Sequence, residues 1–148
     1  MRVLIIEDNR DHLYLIEHIL SSDDEVDFIV DTVLCGKDAI EKIAESPNLY
    51  DSILIDYTLP DITGLDLIDK INDLTGNIPI IMITGRNEKK TINEAIRRGA
   101  HTYLIKSDCF LEKIPYTVKK AVKAKTSTAS DKQNTTKDNS RTPQNNLP

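Results

Sequence analysis

Short apolar, β-branched runs recur through residues 1–125, at Val3–Ile6, Phe28–Leu34, Ser52–Ile55, Ile78–Ile83 and Thr102–Ile105. Each has the length of a buried strand, and most run apolar without alternation, as strands covered on both faces do. Helical spacing fills the intervals. Leu13, Ile16, Ile19 and Leu20 form one stripe, Ala39, Ile40, Ile43 and Ala44 a second, and Leu65, Leu67, Ile68 and Ile71 a third. Ile92, Ala95 and Ile96 form a shorter fourth, and Val118, Ala121 and Val122 a fifth. The order βαβαβαβαβα predicts an α/β fold, a parallel sheet with helices on both faces. Pro115 is awkward inside the last helix, so the pattern predicts a short turn at 108–113 and a main helix from Pro115 to Lys125.

Periodicity stops near residue 126. From Thr126 to Pro148 the aliphatic residues are Ala129 and Leu147, and the rest is polar, charged or proline. Such a segment buries too little apolar surface to offset its chain entropy, so 126–148 is expected to be a disordered tail behind one domain at 1–125. Composition narrows the function classes. Nineteen basic against twenty-four acidic side chains give a net charge of −5, which disfavours direct nucleic-acid binding. Cys35 and Cys109 stand far apart and match no zinc spacing, which points to a reducing compartment. Met1-Arg2 leads straight into Val3–Ile6 with no signal-peptide pattern. No apolar run approaches the ~20 residues of a membrane span. The expectation is a cytoplasmic protein without membrane contact.

In an open parallel α/β sheet, ligands bind outside the carboxyl ends of the strands. Glu7 and Asp8 follow the first apolar run, Asp56 the third, Thr84 the fourth and Lys106 the fifth. Three carboxylates on one rim repel each other, and Lys106 leaves a deficit of two positive charges. A hard divalent cation with oxygen ligands meets that deficit, and Mg²⁺ fits best. Such a site is built for phosphoryl chemistry, with Asp56 the candidate nucleophile for an aspartyl phosphate. Other phosphate and hydrolase signatures are missing. Gly36-Lys37 lacks the earlier glycine of a phosphate-binding loop, no G-x-G-x-x-G follows a strand, and there is no G-x-S-x-G elbow. His12, His18 and His101 are scattered and read as surface residues.

These letters resemble the receiver domain of two-component response regulators. The likeness rests on Ile5-Ile6-Glu7-Asp8, on Asp56-Tyr57-Thr58-Leu59-Pro60 with Gly64 four residues on, and on Ile83-Thr84-Gly85, Gly99-Ala100 and Tyr103-Leu104-Ile105-Lys106. The resemblance covers residues 1–125 and implies a flavodoxin-like doubly wound (βα)5 domain with strand order 2-1-3-4-5. By the same resemblance, Asp56 is the phosphoacceptor. Asp8 and Asp56 bind Mg²⁺ with the backbone carbonyl of Thr58, Glu7 acts through a bound water, and Lys106 contacts the acyl phosphate. Thr84 and Tyr103 form the switch, Tyr103 turning inward as Thr84 moves to the phosphoryl group. The implied donor is a phosphohistidine on a sensor histidine kinase or a histidine phosphotransfer protein. The implied output is a protein-binding face at about 88–125. Such a domain catalyses only its own phosphorylation and slow dephosphorylation, and is not otherwise an enzyme. By the same resemblance, Thr58 and Arg86 occupy the two positions that flank the phosphate's water access and are expected to tune the lifetime of the phosphorylated state. Ser107 stands where the family usually has proline.

No helix-turn-helix pattern or further periodic segment follows residue 125, so the first expectation is a stand-alone receiver. The alternative is a pseudo-receiver, a protein-interaction module that works without phosphorylation. An aspartyl phosphohydrolase ranks last, because Thr58 stands where that class has a second acid. The lysines of the last helix, among them Lys119 and Lys120, read as a solvated face or as charges meeting an acidic partner.

Overall fold

A computed structural model describes residues 1–85 and 87–139, with side chains described to residue 127. Five strands and five helices alternate along the chain. β1 (Arg2–Ile6), α1 (Arg10–Ser21), β2 (Ile29–Val33), α2 (Gly36–Glu45) and β3 (Ser52–Asp56) form the first half. α3 (Gly64–Thr75), β4 (Ile80–Thr84), α4 (Lys89–Arg98), β5 (Thr102–Ile105) and α5 (Phe110–Asn139) follow. The strands pair in parallel in the order β2-β1-β3-β4-β5. Both the fold class and the strand order therefore agree with expectation.

Alternate residues of the central strands feed two separate cores, as the two-residue period of a strand requires. Leu4, Ile6, Ile53, Ile55, Ile80 and Met82 pack with Ala39 and Ile43 of α2, Leu67, Ile68 and Ile71 of α3, and Ala95 of α4. Val3, Ile5, Leu54, Ile81 and Ile83 pack on the other face with Leu13, Ile16 and Leu20 of α1 and Ile114, Val118 and Ala121 of α5. β2 is an edge strand. Its Ile29 is half exposed, so this run is not covered on both faces as its apolar reading implied.

Three boundaries move for identifiable reasons. β4 begins at Ile80 rather than Ile78, because Pro79 has no N–H to give the ladder; its carbonyl still accepts from Ile53 N at 3.0 Å. α5 begins at Phe110 and keeps Pro115 inside it, against the expected start at Pro115. The proline removes one helical donor, and burial of Ile114, Val118 and Ala121 against the sheet holds the turn despite it. α5 also continues beyond Lys125 to Asn139, into the segment read as disordered. No Gly or Pro between Thr126 and Asn139 interrupts its hydrogen-bond ladder. Residues 140–148 of that segment lie outside the described residues, as does Arg86. No helix among the described residues is long and apolar enough to cross a membrane.

Candidate functional site

Strand parity decides which side chains meet at the carboxyl rim. Asp56 ends β3 with the parity of Leu54, and so points to the side covered by α1 and α5. Glu7 lies one residue past β1 with the parity of Ile5, and Lys106 one residue past β5 with that of Leu104. Both are still in the ladder: Glu7 N donates to Val33 O at 3.1 Å and Lys106 N to Thr84 O at 2.8 Å. The three side chains converge. Lys106 Nζ donates to Glu7 Oε2 at 3.0 Å and to Asp56 Oδ2 at 3.3 Å. Glu7 and Asp56 are buried, while Asp8 faces solvent.

Carboxylate oxygens of Glu7, Asp8 and Asp56 all lie within 4.8 Å of one another. Burial is the largest influence on Glu7 and pushes its carboxyl from 4.5 up to about 7; the Asp56 charge adds to this, while Asn9 N–H and Lys106 oppose it. An all-oxygen, acid-rich cluster with one ammonium beside it suits a hard divalent cation, which would favour the ionised form of each acid. Thr58 lies in the loop after β3 and its N–H points at Asp56 Oδ1, 3.4 Å away.

The loop that carries Thr58 is held from several directions. Gly64 N donates to Tyr57 O at 2.8 Å, and an antiparallel bridge joins Thr58 to Thr63. Gly64 is required by close approach, since a Cβ there would sit 2.9 Å from both Asp56 O and Tyr57 Cα. Asp61 accepts from Gly36 N at 2.9 Å and Lys37 N at 2.8 Å, capping α2 where Cys35 supplies no side-chain cap. Those two N–H groups, Gly36 first, hold the Asp61 carboxyl below the usual range despite some burial.

Thr84 and Tyr103 have the opposite parity. Thr84 is buried at the end of β4, in register with Ile105, while Tyr103 pairs with Met82 and is 36% exposed. They therefore share the α4 side of the sheet, two residues apart in register, with Tyr103 turned outward. Ser107, which has the N–H that proline would lack, donates it to Ile105 O at 2.7 Å and closes a tight turn after Lys106.

Two readings of the sequence need correction. His12 is not a bystander on the surface: its Nδ1 lies 3.2 Å from Lys106 Nζ and 3.8 Å from Glu7 Oε2. The signal was its place in the first turn of a helix that follows a rim strand, because that turn overhangs the rim. Lys119 is not a free charge for a partner either. It donates to Asp23 Oδ2 at 2.9 Å and Glu25 Oε2 at 3.0 Å, so the acidic loop after α1 clasps α5 within the chain.

Residues 3–114 match the family described as response regulator receiver domain. The chain is 34% identical over 110 residues to regulatory protein LuxO of Vibrio cholerae serotype O1, covering 74% of this chain and 23% of that protein. It is 32% identical over 105 residues to the transcriptional regulatory protein CitT of Halalkalibacterium halodurans, covering 71% and 45%. It thus spans less than half the length of these relatives. Among solved structures, a two-component response regulator from Clostridium difficile superimposes with a TM-score of 0.73 at 31% identity, covering 83% of this chain and 96% of that one.

Proposed function

This chain belongs to the response regulator receiver domain family, and from that premise we propose that it accepts a phosphoryl group from a phosphohistidine donor onto Asp56. The observation that carries the reading is the convergence of Glu7 and Asp56 on Lys106 Nζ, from the ends of three different strands. In the transfer, a carboxylate oxygen of Asp56 attacks phosphorus. The P–N bond to the donor imidazole breaks, its electron pair stays on that ring nitrogen, and an acyl phosphate forms on Asp56. Lys106 lies in reach of the new group and offsets its charge. Glu7, Asp8, Asp56 and the Thr58 backbone carbonyl would hold Mg²⁺, which supplies the positive charge that offsets these acids and the phosphoryl oxygens. Burial of Asp56 and Glu7 limits water at the acyl phosphate.

The output follows from the side of the sheet that α4 covers. A phosphoryl group on Asp56 offers a new acceptor to the Thr84 hydroxyl, and movement of Thr84 opens space on the face it shares with Tyr103. Tyr103, turned outward here, then moves inward and reshapes the surface of residues 88–125, which binds a downstream protein. The donor is a sensor histidine kinase or a histidine phosphotransfer protein. Intact mass after incubation with Mg²⁺ and acetyl phosphate tests this: one phosphoryl group is gained, chelation prevents the gain, and Asp56→Asn abolishes it. A chain that takes up phosphate equally well as Asp56→Asn would sink the assignment. Asp8→Asn keeps the fold, because the side chain is exposed, and raises the Mg²⁺ concentration needed for half-maximal uptake on the order of tenfold or more.

A further inference from the structure

An ammonium has three N–H donors and no acceptor. Lys106 Nζ meets three partners: Glu7 Oε2 at 3.0 Å, His12 Nδ1 at 3.2 Å and Asp56 Oδ2 at 3.3 Å. Each comes from a different element, the ends of β1 and β3 and the first turn of α1. Because the lysine can only donate, the contact is a hydrogen bond in the tautomer whose Nδ1 is bare. Asn9 Oδ1 accepts from the main-chain N–H of His12 at 3.1 Å, and Asn9 N donates to Glu7 Oε1 at 3.0 Å, so one residue caps the helix turn that carries His12 and orients the Glu7 carboxylate.

We propose that His12 is a positioning residue for phosphoryl acceptance, holding the Lys106 ammonium between Glu7 and Asp56 through a hydrogen bond to Nδ1. The proposal rests on the phosphoacceptor reading of Asp56 and adds a residue to it. Without the imidazole, two carboxylates are left to hold the ammonium. It draws closer to both, lowers the nucleophilicity of Asp56, and leaves the line along which it would meet the phosphoryl oxygens. With His12 and Glu7 each keeping one N–H, the third stays directed at Asp56 and at the group it receives. His12 is 36% exposed, so its replacement leaves the core intact.

The test compares His12→Leu, which removes the acceptor at similar bulk, with His12→Asn, which returns an oxygen to the δ1 position. Uptake from acetyl phosphate is followed at saturating Mg²⁺. His12→Leu is expected to lower the maximal rate roughly threefold to tenfold, the effect of one net hydrogen bond, with the half-saturating donor concentration unchanged. His12→Asn recovers most of the loss. A second readout is independent of phosphorylation: in two-bond ¹H–¹⁵N spectra of the metal-free protein, His12 shows a bare Nδ1. Its signal moves on Lys106→Met while those of His18 and His101 do not. A wild-type rate for His12→Leu, an Asn variant as slow as Leu, or a proton on Nδ1 would each overturn the proposal. Failure of the wild-type chain to take up phosphate overturns the phosphoacceptor role and this proposal with it. Uptake that His12→Leu leaves untouched overturns the positioning role alone.

Discussion

Gly64 shows how closely a single position controls the site. A methyl group there would press on Asp56 O and Tyr57 Cα at 2.9 Å, both main-chain atoms that cannot swing aside. Gly64→Ala is therefore expected to push the loop bearing Thr58 away from the end of β3. The cost is about 1–3 kcal/mol of stability, the range for overpacking a tight contact, read from the denaturant midpoint. The same variant should bind Mg²⁺ more weakly, whereas Gly85, which has open space around its Cβ position, should accept alanine with little change. The glycine is legible in the sequence as a boundary, but its close approach is not, because the neighbours that crowd it lie on β3. His12 was missed for a related reason. Its partners Lys106 and Glu7 are distant or differently placed along the chain, and only the overhang of α1 on the rim brings the imidazole to them.

An ionic cluster joins α3 and α4 beside their apolar contact at Ala95. Arg98 reaches Asp66 at 2.8 Å, Glu94 at 3.0 Å and Asp69 at 3.3 Å, and its carbonyl accepts from Asn72 Nδ2 at 3.0 Å. Arg97 and then Arg98 draw the Glu94 carboxyl from 4.5 down to about 2, and Arg98 also lowers Asp66. An acid held low in the folded state contributes stability above its ordinary pKa and loses it as pH falls through the folded value. The difference in thermal midpoint between wild type and Arg98→Gln should thus be present at pH 6 and shrink as pH falls from about 4.5 towards about 2. It should also shrink in high salt, since these side chains face solvent. α4 then ends at Gly99 in a left-handed conformation (φ 115°), with its N–H bonded to Ile96 O at 3.1 Å. Gly99→Ala is strained there, and a loss of about 1–3 kcal/mol is expected from chemical denaturation.

The two cores give the molecule its unequal response to mutation. Leu54 is fully buried in the middle of the sheet, between α1 and α5, whereas Ile29 on the edge strand is 52% exposed. Leu54→Ala should cost about 2–5 kcal/mol, and Ile29→Ala should stay within about 0.5 kcal/mol of wild type. The alternation of short apolar runs with helical stripes was enough to fix an α/β class, because runs of that length have no other way to bury both faces. The residues that follow those runs, Glu7, Asp8, Asp56, Thr84 and Lys106, were readable as a rim because parallel strands must end together. Chain pattern could not decide which of them touch. That depended on strand parity carried past the last ladder bond, which turns Glu7, Asp56 and Lys106 to the α1 side and Thr84 and Tyr103 to the α4 side. The His12 contact, the clasp of Lys119 by Asp23 and Glu25, and the persistence of α5 through Pro115 were likewise settled by packing. Local order is written in neighbouring residues; contacts across ninety or more positions exist only once the sheet has brought the elements together.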